Sequence, residues 1–593
     1  MRHFLISFLL FFSFHSFAQN PRLARSYYNN GAYKKAIELY KELQKKYKYR
    51  TDYFKFLLSS YQQTENYIAA EQVILEQLNK YPRQQQFNVE LGYNFALQNK
   101  NKLAKKYYNK ALNAVKINPN TAYNTGLAFQ NNNLLDYALK VYKTAMKLNP
   151  KLNFNVQIAM IYGEKGAIEN MFNTLLNIVA KDASYTQSIL KYIGKFIEEN
   201  PQAENNILFK KLLIKRLQTN PNISWNMLLS WLFMQEKQYA KAFVQEKAIF
   251  KRQHNNLDRI LDLGKITFKD NDFNTATNCF KFILQNTSNI PLKIQSNFYL
   301  IKIDVKKQNN PKKLLSIEPK FKQLLTKFGF NTNTFNVQKE YANFLTFKLN
   351  KPKQAISLLK KSLALNLNSL QKGNLKLKLA DIFVFSNQLN QALVAYTQVK
   401  VNHKNSVLAQ EATFKIAQTS YYKGNFKWAQ NQLKVLKSES SQLIANDALK
   451  LSQLISNNNQ NDKPKALKYY AKAELLSFQN KDLQAIDSLY FILKKFKGFP
   501  IAFYALYKQA EIYKKLKFYN KAEANYLNIL SLDKTNILAD DACFALAKLY
   551  QNNLNDINKA AKYYEKIIFE YPASIYLVEA RKIYRQLKPD LIN

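Results

Sequence analysis

Apolar residues along this chain fall at helical spacing, in paired stripes that recur at a fixed interval. Phe54, Leu57, Leu58 and Tyr61 form one stripe, and Tyr67, Ala70 and Ile74 form the next. Ala36, Ala70, Ala104 and Ala138 stand 34 residues apart. Four places after them come Tyr40, Ile74, Tyr108 and Tyr142, and three places before come Tyr33, Tyr67, Asn101 and Leu135. Ala24, Leu58, Gly92 and Gly126 precede them by twelve, and Tyr27, Tyr61, Phe95 and Phe129 by nine. This phase predicts repeated pairs of antiparallel helices, A and B. Small residues let two backbones approach at a crossing, and bulky ones on the same face fill the space beside it. Pro82 and Pro150 stop helix B at the ends of the second and fourth units.

Small residue in helix A, alanine in helix B, an aromatic four later and a closing proline: the pattern resembles the tetratricopeptide repeat family. The resemblance covers residues 21–150 and returns near the C-terminus. It implies an all-α, right-handed superhelical solenoid whose concave face is lined by the A helices and commonly binds peptides or proteins.

Residues 1–18, MRHFLISFLLFFSFHSFA, read as a secretory signal peptide, with Arg2, a short apolar stretch and a small-x-small end. Residues 19–182 form an N-terminal array, in which Met171 replaces the repeat alanine of a fifth unit. Residues 183–222 are helical in period but off the frame. Ala242 and Ala276 restore it over 223–289, with Gly264 and Phe280 in place. A second divergent pair spans 290–334. A further array with an extra helix occupies 335–455, on Ala355, Ala392 and Ala429. The polar run 456–464 predicts a linker or a long loop. Ala485, Ala522 and Ala560 mark a C-terminal array over 465–573, and 574–593 a capping helix and tail. In all, roughly fourteen to sixteen helical pairs are expected. Residues 566–582, KIIFEYPASIYLVEARK, also resemble the repeat ends of bacterial outer-membrane assembly lipoproteins and TolA-binding envelope proteins, without their lipid-anchor cysteine.

A chain of 593 residues exceeds the size of one compact core, a limit that stacked repeats escape. Its 88 basic against 41 acidic residues give a formal charge of +47. That excess either attracts something anionic or is spread over solvated helix faces. Lys34, Lys35, Lys41, Lys45 and Lys46, with Lys100, Lys102, Lys105, Lys106 and Lys110 two units on, predict a basic stripe on the outer wall. Nucleic-acid binding suits the charge but not the export leader. Cys279 and Cys543 lie many repeats apart inside apolar patterns, so buried thiols are expected rather than a disulfide. No stretch is long and apolar enough to predict a membrane span.

Catalytic arrangements are absent from the sequence: no GxxxxGK[ST], GxSxG, HExxH or CxxC occurs. GEKG at 163–166 falls on a helix turn with no strand before it. Glu198-Glu199 and Asp540-Asp541 are adjacent and point apart on a helix. His254 and His403 fall in polar loops without a nucleophile partner. The expectation is therefore a non-enzyme with no cofactor and no metal. What remains is binding. The family frame implies groove positions at Arg25, Tyr28, Asn29, Lys55, Ser59, Gln62, Gln63, Tyr93, Tyr123, Gln130 and Asn131. Tyr, Asn and Gln offer hydrogen bonds and flat apolar area, which suits a peptide groove as well as a plain solvated face. The family's lysine clamp for C-terminal carboxylates is missing, with Pro21, Val89 and Tyr123 in those places. The sequence thus points to an exported envelope scaffold for protein segments, periplasmic or peripheral to the outer membrane. The alternative is a peripheral binder of lipopolysaccharide or anionic lipid through a basic convex face.

Overall fold

The structure is a computed structural model that describes residues 20–47, 50–253, 256–308, 310–436, 442–459 and 464–588. The expected leader and His254 lie outside these residues, as does 460–463 of the expected linker. Every regular element among the described residues is helical. The chain divides into two units, up to Leu263 and from Gly264 onward.

In the first unit the A and B helices alternate: α1 (Asn20–Asn29), α2 (Tyr33–Lys46), α3 (Thr51–Gln63), α4 (Tyr67–Lys80), α5 (Gln86–Leu97), α6 (Asn101–Ile117), α7 (Ala122–Asn131), α8 (Leu135–Leu148), α9 (Asn155–Glu164) and α10 (Ile168–Lys181). The off-frame stretch holds α11 (Thr186–Ile193) and α12 (Glu204–Thr219), the frame resumes with α13 (Ile223–Gln235) and α14 (Tyr239–Gln253), and the division at Leu263 falls within α15 (Asp258–Lys269). The second unit carries α16 (Phe273–Asn286), α17 (Ile290–Lys307), α18 (Pro311–Leu315), α19 (Glu318–Phe328), α20 (Phe335–Phe347), α21 (Pro352–Leu363), α22 (Ser369–Phe385) and α23 (Leu389–Asn402). It continues with α24 (Val407–Tyr422), α25 (Phe426–Leu436), α26 (Gln442–Asn458), α27 (Pro464–Phe478), α28 (Asp482–Lys495), α29 (Ile501–Lys515), α30 (Tyr519–Leu532), α31 (Ala539–Leu549), α32 (Ile557–Glu570) and α33 (Leu577–Leu587). Helix A packs on helix B within a unit, as α5 on α6, and A helices touch the A helix of the next unit, as α5 touches α7.

The repeat alanines explain themselves. Ala36, Ala70, Ala138, Ala242, Ala276, Ala355, Ala392, Ala429, Ala485, Ala522 and Ala560 are all fully buried. Five residues before each stands a residue of positive φ: Gly31, Glu65, Asn133, Lys237, Asn271, Asn350, Asn387, Gly424, Asn480, Lys517 and Asn555. Asn99 and Gly166 hold that place before Ala104 and Met171. The left-handed residue ends helix A and reverses the chain, and helix B then begins two residues on, at the next residue but one. Asparagine and glycine dominate because they tolerate this conformation best.

Beside each alanine, the residue four later fills the helix crossing. Tyr40, Ile74, Tyr142, Phe280, Leu359, Tyr396, Leu433, Leu489, Tyr526 and Tyr564 are buried there. One unit breaks the rule. Glu246 occupies the place, buried beside Ser230, which donates to its Oε1 at 2.5 Å. Arg259 meets it with two parallel bonds of 2.6 and 2.7 Å. A bidentate guanidinium supplies the partners that a buried carboxylate needs.

The second divergent region holds three helices rather than a pair, because Pro311 starts the short α18 between α17 and α19. At the C-terminal end Ala580 of α33 is fully buried, and Tyr576 just before it stacks on Phe544 at 4.2 Å between ring centroids.

Candidate functional site

Groove residues on α1 and α3 are drawn together. Tyr28 Oη lies 2.9 Å from Ser59 Oγ, and the Tyr28 ring meets Phe56 edge-on at 4.9 Å. The Arg25 guanidinium lies over the Phe56 ring, 4.2 Å from its centroid. Tyr28, Ser59, Gln62, Tyr93 and Gln130 are half-buried, while Arg25, Asn29, Lys55, Gln63, Tyr123 and Asn131 are exposed. Gln130 donates to Glu164 at 2.7 Å, one repeat on. Asn29, Gln63 and Asn131 share one frame position but stand in separate units.

The centre of this face is a residue the frame did not pick out. Glu90 on α5 accepts a bond from Asn132 Nδ2 at 3.2 Å. Burial pushes its carboxyl up to about 7, against the pull of the Asn132 bond and the nearby Lys55 ammonium. The Tyr108 hydroxyl is buried without a hydrogen-bond partner, and burial, with Tyr137, Tyr93 and Glu90 nearby, pushes its pKa up. The Gln62 amide nitrogen is likewise buried and unpartnered. Lys55, Tyr93 and Glu90 therefore lie close together on this face, with the Tyr108 hydroxyl buried beneath them. A sequence signal existed: Glu90 is the only acidic residue between positions 77 and 135.

In the second unit the A helices leave less room. Phe347, at the end of α20, packs edge-on against both Phe385 and Phe478 at 5.2 and 5.7 Å. Gln479 donates to the Val384 carbonyl at 3.3 Å and Asn480 to the Phe347 carbonyl at 3.0 Å. The ends of α20, α22 and α27 thus meet directly. Beneath them Tyr421 donates to Glu474 at 2.8 Å, and burial raises the Glu474 pKa. Space reopens between α29 and α31, where a cavity of about 570 Å³ is lined by Tyr507, Glu511, Lys514, Tyr526, Phe544 and Lys548 among others.

The expected outer stripe is interrupted. Lysines on α2 and α6 are exposed, but α4, which carries Glu71 and Glu76, lies between them in the array. Continuity runs instead from α6 to α8, which pack on each other and bring Lys140, Lys143 and Lys147. Both cysteines are buried and reduced, and burial pushes the Cys543 thiol up to about 12. His403 follows the last residue of α23, its backbone N–H closing that helix on Val399. Among the described residues no cluster of three or more His, Cys, Asp or Glu could hold a metal, and no helix is long and apolar enough to cross a membrane.

The tetratricopeptide repeat profile matches residues 22–48 and 541–574. No curated protein matches the chain. Solved structures that align include Naa15/Naa10 bound to HypK-THB, at 13% identity over 90% of this chain and 96% of that one, TM-score 0.29. The APC/C hetero-tetramer Cut9-Hcn1 aligns at 14% over 95% of each chain, TM-score 0.21. The TPR domain of P58(IPK) aligns at 14% over 63% of this chain and 99% of that one, TM-score 0.19. The repeat assignment itself rests on the profile match and on the chain's own helix pairs.

Proposed function

We propose that this protein is a non-catalytic scaffold that holds a segment of a partner protein on the inner face of α1, α3, α5 and α7. One observation supports it above the rest: the half-buried Tyr93 and Glu90 and the exposed Lys55 lie close together on this face, above the buried Tyr108 hydroxyl. Tyrosines and amides around it supply contact area and hydrogen bonds at low entropic cost. We further propose export by the leader and a place in the bacterial envelope, periplasmic or peripheral to the outer membrane. The test is crosslinked pull-down from the native envelope with wild type and with Lys55→Glu combined with Tyr93→Ala. A discrete protein recovered by wild type and lost from the variant supports the reading. Equal recovery by both would remove the groove from it.

A second reading is favoured by α6 alone. It carries Lys102, Lys105, Lys106, Lys110 and Lys116 with no acidic residue, and continues into the lysines of α8. Such a face suits an anionic envelope surface, lipopolysaccharide or anionic lipid. Sedimentation with anionic vesicles at low salt tests it, and absence of binding there would dismiss it.

A further inference from the structure

The second unit contains a cleft that the repeat frame does not build. Where repeats are regular, neighbouring B helices pack on each other, as α6 and α8 do. The extra α18 changes the path of the chain, and α16 and α19 both pack on α17 with a cleft of about 600 Å³ between them. Leu300, Ile301, Ile303, Leu324 and Phe328 supply its apolar lining. Lys281, Lys320 and Lys327 stand around it against one carboxylate, Asp304. Asp304 is occupied by Lys320 at 2.6 Å. Lys281 and Lys327 are exposed and face no carboxylate in the lining.

We propose that this cleft binds a small amphiphilic carboxylate, a fatty acid in chemical class. The volume falls within the range of small-molecule sites, and the lining is mixed, with five apolar side chains beside seven polar or charged ones, as a ligand with a tail and a charged head requires. Apolar area open to water at Leu300 and Phe328 is what an acyl chain covers favourably. The two lysines without a carboxylate provide the complementary charge for the head group, and Gln323 offers an amide donor beside it, while the Asn297 amide donates to the Lys293 carbonyl at 2.8 Å. A cationic amphiphile with the same tail meets three ammonium groups and is repelled. An uncharged one gains only the apolar contact. The site lies outside the inner face of the first unit, so its failure leaves the scaffold reading untouched.

The experiment is calorimetric titration of the full mature chain with laurate below its micellar concentration, with dodecyltrimethylammonium as the matched cation. Two variants accompany wild type: Lys281→Glu combined with Lys327→Glu, which reverses the rim, and Asn297→Trp, which fills the cleft. Expected are saturable laurate binding at one site, about a tenfold loss in each variant, and no binding of the cation. Circular dichroism confirms that both variants fold. Absence of saturable laurate binding would overturn the proposal. So would binding that both folded variants retain, or equal binding of the cation. Binding of polyglutamate without laurate would assign the cleft to acidic protein segments and overturn it equally.

Discussion

Tyr108 packs so closely over Gly92 that a Cβ on the glycine would lie 2.5 Å from Tyr108 Cε1. The two residues stand sixteen apart, and the same relation joins Gly126 to Tyr142 and Gly264 to Phe280. This contact is what locks small and bulky residues in phase. Gly92→Ala and Gly126→Ala should therefore each destabilise the first unit by about 2 kcal/mol, through overpacking rather than loss of contact. Denaturant melts followed by circular dichroism check this, and a neutral outcome would mean that the crossing is looser than described.

The left-handed turn residues give a prediction of opposite sign. Glu65 and Lys517 hold positive φ at 56 and 66° with side chains that disfavour it. Glu65→Gly and Lys517→Gly should each stabilise by about 1 kcal/mol. Asn99→Val, at φ 61°, should destabilise by more, because a β-branched residue tolerates that region least. Thermal melts of the three variants rank them directly.

Much of the fold was legible from the sequence because helix pairs leave a periodic trace. Tyr33, Tyr67, Asn101 and Leu135, spaced by the repeat, are each the first residue of a B helix. The turn residue five before the alanine was also present, as Gly or Asn in most units, but it is polar and carries no hydrophobic signal. Chain geometry that depends on several repeats was not legible. Nothing local marks Phe347 and Phe478 as neighbours, since 131 residues separate them and each looks like an ordinary helix-end aromatic. The candidate groove was partly legible. Tyr28 and Ser59 meet, whereas Glu90, on the same helix as Tyr93, stands outside the frame's groove positions. The cleft beside α18 escaped because it follows from a break in the frame rather than from the frame itself.

Glu246 replaces an apolar crossing residue by an ion pair, and its removal should be costly. Glu246→Ala leaves Arg259, about a third exposed, without its two bonds and should cost about 3 kcal/mol. Glu246→Ala combined with Arg259→Leu should recover part of that loss. A double-mutant cycle on unfolding free energy measures the coupling.

Two carboxyls give pH dependences of opposite direction. Glu90 is raised in the folded protein to about 7, so the folded state holds its proton more tightly than the unfolded chain. Its contribution is fully present below the ordinary carboxyl value and is lost as pH rises through about 7. Hydrogen-exchange protection of α5 and α6, corrected for intrinsic rates, should fall between pH 5 and 8 in wild type and stay flat in Glu90→Gln. The same decline in both would contradict the assignment.

Glu318 behaves in the reverse sense. Burial pushes its carboxyl up, but bonds from Lys322 at 2.8 Å and Lys351 at 2.7 Å outweigh it and hold it at about 2. The unfolded chain binds this proton first, so the stabilisation is present above the ordinary carboxyl value and is lost as pH falls towards about 2. Protection of α19 and α21 should drop on acidification below about pH 4 in wild type and less in Glu318→Gln.

Partner protein is proposed to be held on the inner face of the first unit. Site-specific photocrosslinking tests it directly, with a photoreactive phenylalanine at Tyr93 on the groove and at Lys105 on the outer wall, in the native envelope. A discrete protein adduct from Tyr93 and none from Lys105 is the predicted result. Adducts from Lys105 alone, with Tyr93 silent, would contradict it.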